Sequence, residues 1–235
     1  MRGNKQAMRQ SVVLLICMLC LVLEVKVGAD YIPPARLDGF VYRNQHHPDS
    51  VLIEAFFDPV CPDSRDSWPA LKQVITHYGS RVSLVVHLLP LPYHDNAFVA
   101  SRALHIVNAL NKSATFPMLE WFFKHQGKFY NAQTKNLSRA SIEKEMVKSV
   151  TEVIGRSYYS SIKSGFNDRK TDLHTRVSFK YAASRGVSET PFFYVNGFLL
   201  PGTGSALDYK GWRKVIDPLV GSNSGKNAES FNWFL

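Results

Sequence analysis

Apolar positions along the chain fall into two kinds of run. Residues 51–57 (VLIEAFF) are apolar almost without a break, the pattern of a strand buried on both faces. Residues 81–89 (RVSLVVHLL) repeat it. Between them, Trp68, Leu71, Val74, Ile75 and Tyr78 recur at helical spacing over residues 62–78. Pro62 suits a first helical position and Gly79 an end, while Pro69 inside predicts a kink. Strand, helix, strand predicts the crossover of a parallel pair. Helical stripes then fill residues 95–186. They are Val99, Ala103, Ile106, Val107 and Leu110; Met118, Leu119, Phe122 and Phe123; and Ile142, Met146, Val150 and Ile154. A last helix holds Leu173, Val177 and Tyr181, with Asp168 as its cap and Gly186 after it. Apolar runs at 192–195 and 198–200 flank Asn196-Gly197, the strongest short hairpin signal. Residues 207–220 close with a helix bearing Trp212, Val215, Ile216 and Leu219. The order predicts an α/β fold, a central sheet with helices on both faces.

The N-terminus reads differently. Met1 to Gln10 carries Arg2, Lys5 and Arg9 and no acid, and Ser11 to Leu23 has no charge. Val27-Gly28-Ala29 offers small residues for cleavage. Residues 1–29 therefore read as a secretory signal peptide. The apolar run is shorter than the roughly 20 residues that span a membrane. An uncleaved signal anchor is the alternative. No second run is long enough to cross a bilayer, so no membrane span follows cleavage.

Cleavage changes the charge. It removes four basic residues (Arg2, Lys5, Arg9, Lys26) and one acid (Glu24) from 28 and 19, leaving 24 and 18, a net +6. The positive charges are scattered and not interleaved with aromatics, which argues against a nucleic-acid partner. Residues 30–220 form one domain, with a helical insertion at about 93–186. Residues 221–229 (GSNSGKNAE) read as a flexible tail that ends in FNWFL at 231–235. Cys17 and Cys20 leave with the signal, so Cys61 is the single cysteine of the mature chain and no internal disulfide forms. Asn111-Lys112-Ser113 and Asn136-Leu137-Ser138 are glycosylation sequons, placing Asn111 and Asn136 as acceptor sites. His46-His47 has no ligand partners at metal spacing, and no G-x-S-x-G or phosphate loop occurs. His87, in an apolar strand, reads as a core histidine, and His94-Asp95 as a helix start.

Two positions carry chemistry. Cys61 lies between a buried strand and a helix start, in Phe56-Phe57-Asp58-Pro59-Val60-Cys61-Pro62-Asp63-Ser64. Unpaired backbone N–H groups and the helix dipole favour a thiolate there. The bland alternative is a cysteine buried as a small hydrophobe. Thr190-Pro191 opens the 192–195 strand, where a cis proline leaves the preceding backbone unpaired.

This arrangement resembles the thioredoxin superfamily: C-P-x-x at a helix start, a proline further along that helix, a distant Thr-Pro before a hairpin, and a closing helix. The helical block resembles its DsbA-like branch, and the secreted thioredoxin-superfamily proteins of plants are similar. The resemblance implies a thioredoxin-like fold over about residues 45–220. It makes Cys61 the nucleophile and Pro191 a cis-proline facing it. Thr190 and Pro191, with Pro62, would hold an extended peptide or protein thiol/disulfide substrate. The redox pair of the family is C-x-x-C, and here Ser64 replaces the second cysteine. Ser64 cannot store electrons or resolve a mixed disulfide, though its hydroxyl can donate to a Cys61 thiolate. Glu54 is one residue out of register with the family's buried acid, on the opposite strand face. Asp63 is negative and opposes a thiolate.

Two functions remain open. One is monothiol thiol–disulfide exchange in the secretory pathway, extracellular (apoplast) or vacuolar. It needs no metal or organic cofactor, with glutathione as a co-substrate. The other is a redox-inactive, peptide- or protein-binding module. A storage or cell-wall protein with an incidental thiol is a third. N-terminal sequencing of the secreted protein tests the first step: the mature chain is expected to start at Asp30, and a start at Met1 indicates an anchor.

Overall fold

The computed structural model describes residues 37–44, 47–202 and 204–220. The signal segment and the tail of the sequence reading lie outside these residues. A five-stranded sheet is built from β1 (Phe40–Val41), β2 (Val51–Phe57), β3 (Val82–Leu88), β4 (Phe192–Val195) and β5 (Phe198–Leu199), in the order β1-β3-β2-β4-β5. β2 and β3 run parallel, joined by α1 (Pro62–Tyr78); the other three pairings are antiparallel. α1 continues through Pro69. Asn196 and Gly197 take positive φ values of 49° and 81°, which matches the tight turn between β4 and β5.

The insertion after β3 consists of α2 (Ala97–Leu110), α3 (Thr115–His125), a short α4 (Asn131–Thr134), α5 (Arg139–Ile154) and α6 (Tyr159–Gly165). α7 (Arg169–Ser184) leads back to the sheet, and α8 (Tyr209–Val220) closes the fold. α2 starts at Ala97 with Asn96 as its cap, so His94 and Asp95 stay in the loop before it.

Alternate residues of β2 serve opposite faces. The Phe57 ring meets Trp68 of α1 edge-on at 6.1 Å and Phe193 at 6.0 Å, and Phe193 meets Trp212 of α8 at 5.0 Å. Phe56 instead stacks on Tyr181 of α7 at 6.2 Å. Ile53, Ala55, Phe56 and Phe57 are all wholly buried, as the unbroken apolar run requires of a central strand.

α7 departs from its apolar pattern. Leu173 and Phe179 are exposed, whereas Thr171, Thr175, Ser178 and Ala182 are buried. Those four recur at helical spacing, so the buried stripe is real but polar. Its partner is α2. Arg102 donates to Thr171 Oγ1 at 3.0 Å and to the Asp168 carbonyl at 2.9 Å. His105 Nε2 lies 3.0 Å from Ser178 Oγ. A hydrophobic count misses a face whose polar groups are satisfied by a neighbouring helix.

Phe57→Ala removes a ring from the meeting point of α1, α3 and β4. It is expected to cost about 3–5 kcal/mol, read as a lower urea midpoint with an unchanged slope.

Candidate functional site

The end of β2 turns sharply before α1. Asp58-Pro59-Val60-Cys61 closes as a turn, with the Cys61 N–H donating to the Asp58 carbonyl at 3.1 Å. Proline at the second position and aspartate at the first are the residues such a turn prefers. Asp58 Oδ1 accepts the Val60 N–H at 2.9 Å. The turn delivers Cys61 as the N-cap residue of α1, with Pro62 as the first helical residue.

Cys61 is 2% exposed, and its Sγ–H donates to the Thr190 carbonyl at 3.4 Å. The Thr190–Pro191 bond is cis. Thr190 is buried, with no partner for its Oγ1 among the described residues. The Pro191 carbonyl accepts the Gly204 N–H at 2.9 Å. Cys61, Thr190 and Pro191, distant in sequence, therefore meet. Phe56, Leu89, Leu91, Val187 and Phe192 form one buried cluster with Cys61.

Ser64 is wholly buried, and its Oγ accepts the Asp58 N–H at 3.2 Å. Asp63 is exposed in the first turn of α1, and Pro62 is half-buried. The insertion also reaches the site. Gln126, after α3, is buried and donates to the Pro59 carbonyl at 3.3 Å and the Cys61 carbonyl at 3.1 Å. Tyr130 donates to Gln126 Oε1 at 2.8 Å. Asp58 Oδ2 accepts from the Leu91 N–H at 3.1 Å and pairs with His94 Nδ1 at 2.7 Å. Asp-Pro before Cys-Pro is a readable turn signal for Asp58. Nothing local marks Gln126 or His94, because both act across long stretches of chain.

Asn136 is exposed. Asn111 ends α2, and its Oδ1 accepts from the Ser113 N–H at 3.1 Å and the Ser113 hydroxyl at 2.7 Å, within its own sequon. Among the described residues, no group of three His, Cys, Asp or Glu side chains is arranged to hold a metal ion. A groove of about 800 Å³ between α1 and α3 is walled by Trp68, Lys72, Phe123 and Tyr209, and Cys61 is not among its walls.

Glu54 lies on the Phe56 face of β2, in a second polar cluster. Tyr181 donates to its Oε1 at 3.0 Å and Arg185 to its Oε2 at 3.3 Å, while His87 Nε2 is 3.5 Å from Oε1. His87 Nδ1 is 3.0 Å from Asp38 Oδ2, and Asp38 Oδ1 accepts from Ser178 at 2.5 Å. Contact with His87 lowers the Glu54 pKa, against burial, with help from Tyr181 and Arg185. Burial pushes the Tyr181 phenol up to about 12, reinforced by Glu54. Burial works against a charged His87, but the bond to Asp38 and the nearby Glu54 carboxylate outweigh it and raise its pKa. His87 is thus a core histidine with two acid partners.

His105 behaves oppositely. Burial lowers its pKa to about 4, only partly offset by Asp38. The unfolded ring takes up a proton near 6.5 and the folded ring does so only near 4. Its contribution is complete above pH 6.5 and is lost as pH falls towards 4, by up to about 3 kcal/mol. Urea titrations at both pH values test this. His105→Gln is expected to lose less stability than the wild type between neutral pH and pH 4.

A family model described as thioredoxin matches residues 47–218. No curated protein matches the chain. Solved structures share its fold. The thiol-disulfide exchange protein alpha-DsbA2 from Wolbachia pipientis gives a TM-score of 0.58 at 22% identity, covering 77% of this chain and 87% of its own. A periplasmic thioredoxin-like protein from Salmonella enterica serovar Typhimurium gives 0.56 at 18%, covering 78% and 91%. MdbA, a thiol-disulfide oxidoreductase from Actinomyces oris, gives 0.56 at 14%, covering 72% and 81%.

Proposed function

Because this chain belongs to the thioredoxin family, we propose that it is a secretory-pathway thiol–disulfide exchange protein working through one thiol, Cys61. The observation that carries this reading is the meeting of Cys61 Sγ with the Thr190 carbonyl at 3.4 Å, beside the cis Thr190–Pro191 bond. A thiol at the start of a 17-residue helix faces the positive end of the helix dipole, which favours a thiolate. The neighbours described as thiol-disulfide proteins support the same class of chemistry.

The reaction balances with one thiol. The Cys61 thiolate attacks one sulfur of a substrate disulfide, a new sulfur–sulfur bond forms, and the old one breaks. The departing sulfur leaves as a thiolate and takes a proton from solvent. An external thiol, such as glutathione, then attacks the mixed disulfide and returns Cys61 to its reduced form. Ser64 takes no covalent part. The extended substrate lies along Thr190 and Pro191, with Pro62 flanking the sulfur.

The signal-like segment at 1–29 and the two sequons support the secretory route, ending outside the cell or in a vacuole. Asn111 and Asn136 are the proposed acceptors. Among the described residues, no helix is long and apolar enough to cross a membrane.

A second reading has its own observation: the thiol is buried and its proton is already donated to Thr190. A groove that binds peptides without exchange fits that arrangement. Intact mass after incubation with oxidised glutathione, and separately with a disulfide-bonded peptide, separates the two. Exchange is expected to leave one adduct on Cys61, reversed by added thiol and absent from Cys61→Ala. No adduct at any pH between about 6 and 9 overturns it. Retained peptide binding by Cys61→Ala then selects the binding module.

A further inference from the structure

The Asp58 carboxylate is wholly buried yet accepts only N–H donors: Val60, Leu91 and His94. Its peptide group is equally committed, with the N–H on Ser64 Oγ and the carbonyl on the Cys61 N–H. One residue therefore joins the Cys61 turn to the loop at 89–94, whose Leu89 and Leu91 share a buried cluster with Cys61. His94 is the only titratable donor of the three, and its side chain is 22% exposed. It can exchange protons with water while Asp58 cannot.

The remaining charges near Cys61 do not compensate Asp58. Asp63 and Arg65 lie on α1, and Arg65 is already paired with Asp66 at 2.7 Å. Tyr93 adjoins His94, Tyr130 precedes α4, and Glu189 precedes Thr190. The Tyr93 phenol pKa is raised by partial burial, then by the charges of Cys61, Asp58, Glu189 and Asp63, so all four act at one place. Three of them are carboxylates. Tyr130 is raised likewise, by burial first and then in part by Cys61, against Arg65.

Resting on the reading of Cys61 as the reacting group, we propose that the Asp58–His94 pair, and not Ser64, positions the Cys61 thiol and tunes its ionisation. With His94 neutral, the buried carboxylate opposes a thiolate at the other end of its own turn. With His94 protonated, the pair is neutral and the thiolate forms more readily. His94 is a positioning residue: it acts on the sulfur through Asp58. A charge buried one turn away is screened far less than the exposed Asp63.

The test is the rate of iodoacetamide alkylation of Cys61 against pH in the folded mature chain. Asp58→Asn keeps the size of the side chain and removes its charge, and it is expected to lower the midpoint by about one pH unit. His94→Gln keeps a donor for Asp58 and removes the titration. It is expected to label several-fold more slowly than the wild type near pH 5 to 6, and equally at about pH 8 and above. An unchanged or raised midpoint in folded Asp58→Asn overturns the proposal. So does wild-type labelling by His94→Gln at acidic pH, which decides alone should Asp58→Asn fail to fold. Alkylation needs no disulfide substrate. Loss of the exchange reading through absent adducts is therefore distinct from loss of this one.

Discussion

A carboxylate with no access to water must find its donors inside the protein, and Asp58 finds three. That requirement organises the surroundings of Cys61. One oxygen holds the turn that ends β2, and the other holds the loop after β3. The parallel pairing of β2 with β3 brings Phe57 beside Leu88, so the two segments leave the sheet together and one side chain can span them. Removing the carboxylate leaves its buried N–H donors unpaired, which costs more than any single bond is worth.

The helical insertion adds a second clasp. Gln126 donates to the carbonyls of Pro59 and Cys61, and Tyr130 fixes the orientation of its amide. The insertion is thus part of the wall of the site, and the helix start is held from both sides. Cys61 sits within this frame against Thr190. Its thiol is oriented, but Cys61 is also buried, in one cluster with Phe56, Leu91, Val187 and Phe192. Enclosure and orientation come from the same packing.

The α7 side of the sheet solves a different problem. Asp38, Glu54, His87, His105 and Ser178 form a chain of contacts from the residues before β1 to α7. His87 favours its proton there and His105 refuses one, because two carboxylates flank the first ring and only a hydroxyl bonds the second. Phe56 stacks on His87 at 4.7 Å and belongs to the packing around Cys61, so the polar chain and the thiol share one aromatic side chain.

Local rules made most of the fold legible. Unbroken apolar runs marked the central strands, Pro62 and Gly79 bounded α1, and Asn196-Gly197 marked the hairpin, since each depends on neighbouring residues alone. The same holds for Cys61 at a helix start and for Ser64 in place of a second cysteine. The buried polar stripe of α7 was not legible, because Thr171, Thr175 and Ser178 look like surface residues until α2 supplies Arg102 and His105. Nor was the bond from the Asp58 N–H to the Ser64 hydroxyl oxygen, or the link from Asp58 to His94 across 36 positions. Periodicity and turn chemistry are written within a few residues. The partner of a buried polar atom is chosen by whichever segment folding brings within 3 Å, and no local pattern encodes that choice.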